Sequence, residues 1–180
     1  MGARECEMLE FLRERIDGIE RAVAVNISPD CLEECDHKGF ETIRADLNSG
    51  EIPSGDGKFD VAVATEIIEH LHHPYKIIGE LRRLVLEEGV LLITVPNVAR
   101  LRKRFELLFG RDPVPLNPDE EDVHIREFTM ESITKLLEYY GFRVEEHRYI
   151  NFAGGNPLAR AVKTIFPSLS THIFIRARPQ

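Results

Sequence analysis

The run Val90-Leu91-Leu92-Ile93-Thr94-Val95 is almost wholly apolar on both faces. A strand of that kind has to be covered on both sides, which is the situation of a parallel strand with helices packed over it. The rest of the chain supplies the same unit repeatedly. An amphipathic helix over residues 5–16 carries Met8, Leu9, Leu12 and Ile16 on one face. Ala22 to Ile27 is a short apolar strand, followed by Ser28 at an N-cap position, Pro29 at the first helical position and Gly39 as the stop. Thr42 to Ala45 is a second strand, and residues 47–58 form a Gly/Pro/Ser-rich connection. Phe59 to Ala64 is a third strand. The segment Thr65–His70 is helix-prone, and a longer helix runs from Pro74 to Glu88, closed by Gly89. Thr129 caps a later helix ending at Gly141, and strands are expected over 143–150 and 172–177. Strand–helix alternation of this kind predicts an α/β, doubly wound, mostly parallel sheet.

A chain of 180 residues suits a single domain, 1–180, with no linker long enough to divide it. Its net charge of −8 gives it no global attraction for polyanions, so there is no strong nucleic-acid signal. The longest uncharged apolar stretch, Gly89 to Ala99, is too short to cross a bilayer. The charged N-terminus lacks a signal-peptide core, and three cysteines cannot all pair, which together suggest a cytoplasmic protein. Cys31, Cys35 and His37 read as ordinary helix residues, because a four-residue cysteine spacing within one helix is a weak metal signal.

Several segments, taken in order, resemble class I S-adenosylmethionine-dependent methyltransferases. They are Ala24 to Pro29, Arg44-Ala45-Asp46-Leu47, Phe59 to Leu71, Val95-Pro96-Asn97, His124 to Thr129, and Gly141-Phe142. The resemblance implies a Rossmann-like fold with S-adenosylmethionine lying across the carboxyl ends of the strands. It places Asn26 at the ribose hydroxyls, Ile27 beside the adenine, Asp46 near its exocyclic amine and Leu47 against its face. Ala64 and Thr65 border the methionine. Asn26 stands where the family usually has an acid, and an amide has one acceptor oxygen against the carboxylate's two. The family's first strand and Gly-x-Gly-x-Gly turn have a poor counterpart. The aligned turn is Gly2-Ala3-Arg4-Glu5-Cys6, in which Gly2 alone is kept. Three explanations stay open: a protein that begins upstream, another chain covering the missing-strand region in a homo- or hetero-oligomer, or a non-catalytic relative that binds a partner.

Glu66, Glu69 and His70 stand at i, i+3 and i+4, one face of a helix. With His124 they resemble the sites of metal-assisted O-methyltransferases and suit magnesium, manganese or zinc. His70 and His124 are also the candidate proton acceptors. The expected substrate is a small-molecule or glycan/lipid-like acceptor methylated on oxygen. Residues 98–128 read as a lid or substrate-side insertion. Within them, residues 98–111 carry Arg100, Arg102, Lys103, Arg104 and Arg111 beside Phe105, Leu107, Leu108 and Phe109. That pattern fits either peripheral membrane contact or a helix packed on the sheet edge.

Overall fold

The computed structural model describes residues 5–56, 59–112, 125–151 and 164–180. Gly2 and His124 lie outside them. The elements appear in the order α1 (Glu5–Arg15), β1 (Val23–Asn26), α2 (Pro29–His37), β2 (Glu41–Arg44), β3 (Phe59–Thr65), a short 3-10 turn (Ile68–His70), α3 (Pro74–Leu84), β4 (Val85–Pro96), α4 (Leu101–Leu108), α5 (Met130–Tyr139), β5 (Phe142–Ile150), a second 3-10 turn (Pro167–Leu169) and β6 (His172–Pro179).

The strands form two sheets. β1 pairs in parallel with β2, and a four-stranded sheet has the order β3-β4-β6-β5. Within the larger sheet β3 runs parallel to β4, while β6 is antiparallel to both of its neighbours. All of its strands except β6 therefore run one way. α3 and α5 lie side by side against it: Ile77, Ile78, Leu81, Leu84, Ile133 and Leu137 share one buried cluster with Leu91, Ile93, Ile173 and Ile175. A second, smaller cluster of Cys6, Ala24, Cys35 and Phe40 lies under α1 and α2.

Thr129 caps α5 as the sequence predicts. Its hydroxyl accepts from the Ser132 amide at 3.1 Å, and the Ser132 hydroxyl accepts from the Thr129 amide at 2.9 Å. Ser28 holds the N-cap position of α2 but makes no side-chain cap bond. Instead its amide donates to Asn26 Oδ1 at 3.0 Å.

Two expected helices change. α3 ends at Leu84, and Gly89 lies inside β4 rather than closing a helix. A Cβ at Gly89 would fall 2.9 Å from the Asp60 carbonyl oxygen, so the glycine allows close backbone approach where the β3–β4 register slips between Phe59 and Val61. The segment 65–70 is not a helix. Glu66 adopts φ +52°, a left-handed conformation unusual for a residue with a Cβ, and only Ile68–His70 coil, as a 3-10 turn.

Cys6 and Cys35 form a disulfide joining α1 to α2, with Cα atoms 5.4 Å apart, and Cys31 is free. Cys35 is thus a cross-link rather than an ordinary helix residue. The cytoplasmic expectation loses the support it drew from unpaired thiols. Among the described residues no helix is long and apolar enough to cross a membrane.

Candidate functional site

The predicted nucleoside residues sit at the carboxyl ends of β1 and β2. These ends are tied together where the Ala45 amide donates to the Asn26 carbonyl at 3.0 Å. Asp46 opens the turn after β2, its Oδ1 accepting from the Asn48 amide at 2.9 Å. Asn48 Oδ1 in turn accepts from the His72 amide at 2.9 Å, joining this turn to the segment that follows β3. Ala64 is buried and Thr65 half-buried at the end of β3. Ile27 presents an apolar side chain that is 56% exposed, and Leu47 is half-buried nearby in sequence to Asp46.

These residues fit a nucleoside. Asn26 is nearly buried, and its acceptor oxygen is already used by Ser28. Its amide NH2 is what it has to offer a ribose hydroxyl, reversing the usual polarity of that contact. The bare Ile27 side chain offers an apolar surface to a flat base, and the Asp46 carboxylate an acceptor for an exocyclic amine.

The acidic cluster forms by a different route from the predicted helix face. Glu66, turned by its positive φ, accepts from Thr94 Oγ1 at 2.8 Å and lies 3.3 Å from His172 Nε2. Glu69 is 0% exposed, and His70 Nε2 lies 4.0 Å from its Oε1. Neither Glu69 oxygen has a hydrogen-bond donor among the described residues. Burial, reinforced by the nearby Glu66 and Glu127 carboxylates, pushes the Glu69 carboxyl up to about 8. At neutral pH it therefore holds a proton, which Glu66 can share. Behind it the Arg126 amide donates to the Glu69 carbonyl at 3.0 Å, while the adjacent Glu127 pairs with Lys103 of α4.

The metal expectation does not fit this arrangement. Among the described residues no group of three His, Cys, Asp or Glu side chains is placed to hold an ion. The turn at Glu66 also replaces the helical face on which the ligand set depended.

His172, Lys103 and Glu127 join the cluster, although the sequence offered none of them as a site residue. His172 opens β6 opposite Pro96, which places it at the carboxyl end of β4. Its only sequence signal is a polar residue at the start of an apolar final strand. His72 and His73, at the entry to α3, are exposed, and His73 Nδ1 lies 2.9 Å from the Tyr75 hydroxyl.

Strand ends carrying the expected nucleoside residues, with an acidic turn after β3, are the layout of a Rossmann-like S-adenosylmethionine-dependent methyltransferase fold. Solved structures agree on the fold. An S-adenosylmethionine-dependent methyltransferase from Archaeoglobus fulgidus superposes with a TM-score of 0.64 at 19% identity, covering 96% of this chain and 80% of that one. One from Mesorhizobium loti gives 0.65 at 14% identity, covering 95% and 85%. Residues 1–147 match the family model described as a methyltransferase domain, and the chain belongs to that family. Among curated relatives, a protein of Mycolicibacterium smegmatis named as a probable S-adenosylmethionine-dependent methyltransferase is 37% identical over 106 residues, which is 57% of this chain and 37% of the relative. A similarly named protein of Mycobacterium tuberculosis is 34% identical over 95 residues, or 53% of this chain and 31% of the relative. The chain thus matches about a third of the length of these relatives.

Proposed function

We propose that the protein is an S-adenosylmethionine-dependent methyltransferase acting on an oxygen of a small-molecule or glycan/lipid-like acceptor. The observation that carries this reading is the tying of the β1 and β2 ends to each other and to the segment following β3 by Ala45–Asn26 and Asn48–His72, with the acidic cluster beside them. When bound, the sulfonium supplies an electrophilic methyl group, and the protein's task is largely to align it with the acceptor. Asn26, Ile27, Asp46 and Leu47 hold the nucleoside, Gly2, Ala64 and Thr65 border the rest of the cofactor, and His70 or His124 takes the proton from the acceptor hydroxyl. Residues 98–128 form the substrate-side lid. No step is assigned to a divalent cation, for the reasons given above.

Calorimetric titration with S-adenosylhomocysteine tests this reading. Micromolar binding is expected, unchanged by EDTA, and weakened at least about tenfold in Asp46→Ala, the loss of a charge-assisted hydrogen bond being worth about 1.5–3 kcal/mol. A folded chain that fails to bind would overturn it.

The break between the β1–β2 sheet and the β3-β4-β6-β5 sheet favours a second reading, a non-catalytic module completed by a partner's strand. Strand edges without ladder partners are ready templates for such pairing. Under that reading the isolated chain would not bind the nucleoside, and a chain supplying the strand would be recovered with it.

A further inference from the structure

α4 is built inside out. Its Lys103 is 2% exposed and paired inward with Glu127, whereas Leu108 is 74% and Phe109 72% exposed. Phe105, Leu108 and Phe109 follow i, i+3, i+4 spacing and so share one helical face, with Leu107 also exposed beside them. A second apolar pair comes from far along the chain. Ile165 and Phe166 are 70% and 58% exposed and directly precede the 3-10 turn Pro167–Leu169. The guanidinium of Arg104 donates to Ser168 Oγ at 3.3 Å, which brings that turn against α4. A water-exposed helix ordinarily turns its charges outward; clustered apolar side chains facing outward mark a contact surface.

We propose that this surface docks on an anionic lipid bilayer, with α4 lying in the interface plane and Ile165 and Phe166 inserted beside it. The charge pattern selects the occupant. Arg102, Arg104 and Arg111 are exposed around the apolar residues, in a chain whose net charge is −8. Basic residues flanking a shallow apolar face are what an interfacial helix requires, each contributing attraction to anionic headgroups. A second copy of this chain is a worse match. Two-fold pairing would set the same patch against itself and bring its arginines together. None of the described helices can span the bilayer, so the contact is peripheral.

The test is co-sedimentation of the full chain with vesicles of phosphatidylcholine alone and of phosphatidylcholine mixed equally with phosphatidylglycerol. Binding is expected on the mixed vesicles, weaker by at least about tenfold on phosphatidylcholine alone and again at about 0.5 M NaCl. The double variant Leu108→Ser/Phe109→Ser removes two side chains that are already exposed, so its fold is retained, and its binding falls by at least about tenfold. The protein has no tryptophan. Phe109→Trp therefore gives a single fluorophore whose emission shifts to the blue on mixed vesicles if the helix enters the interface. A native chain that stays in the supernatant with mixed vesicles overturns the proposal. So does a concentration-dependent dimer that the same double variant abolishes, which would make a second copy the occupant.

Discussion

Lys103→Ala should lower stability by about 3–5 kcal/mol, the usual consequence of removing one member of a buried ion pair. Lys103 and Glu127 have side chains only 3% and 4% exposed, and their contact joins α4 to the segment preceding α5. Without the ammonium, the Glu127 carboxylate is left in a site already crowded by Glu69 and poor in water. Thermal melts followed by circular dichroism should show the midpoint falling by roughly 6–20 °C for a chain of this size. Replacing both partners by apolar residues of similar volume, Lys103→Met with Glu127→Leu, should restore most of the loss, because it removes the stranded charge and its desolvation together. A loss below about 1 kcal/mol for Lys103→Ala would place the pair in solvent instead.

Glu69→Gln should change the pH dependence of stability more than its value near pH 4. The ordinary carboxylate value is 4.5, and burial raises Glu69 to about 8 in the folded protein. Below 4.5 both folded and unfolded chains hold the proton, and the group contributes no slope. Between 4.5 and 8 the folded chain keeps a proton that the unfolded chain releases, so stability falls as pH rises. Above 8 both forms are ionised and the full penalty is present. Glutamine has the same shape and never ionises. Relative to the native chain, the variant should therefore gain stability steadily from pH 5 to pH 8 and level off above it, a gain of about 4–5 kcal/mol in all. Parallel melting curves for the two proteins across that range would show that Glu69 titrates normally.

The parts of the fold that sequence made legible are those decided by neighbours along the chain. The two-sided apolar run of β4, the Thr129 capping box and the Pro29 helix start all carry their signals within a few residues. The failures come from partners far away. Thr65 to His70 has helix-forming residues, but the Glu66 amide donates to the Thr94 carbonyl at 3.1 Å and its carboxylate accepts from the Thr94 hydroxyl. Tertiary hydrogen bonds thus override local propensity there. Gly89 reads as a helix stop because its role depends on Asp60 of the adjacent strand. The Cys6–Cys35 bridge spans 29 residues and the Lys103–Glu127 pair 24. Neither leaves a periodic trace. The proposed nucleoside side of the site was read from the ends of β1 and β2, whereas the buried acidic cluster depended on a turn and on His172 from the last strand.

The division of the strands into two sheets reaches beyond binding to the way the molecule opens. β4 and β6 lie in the middle of the large cluster, while α1, α2 and the near side of β1 rest on the small one. With no backbone ladder between the sheets among the described residues, the smaller unit is expected to come apart without dismantling the larger. Native-state hydrogen exchange should therefore separate two classes of amide. Those of Val23 to Asn26 should exchange through a low-energy partial opening, and those of Leu91 to Val95 only on global unfolding. Reducing the Cys6–Cys35 bridge should accelerate the first class and leave the second unchanged, since it loosens α1 and α2 alone. The residues proposed to hold the nucleoside thus sit on the part of the molecule expected to open first.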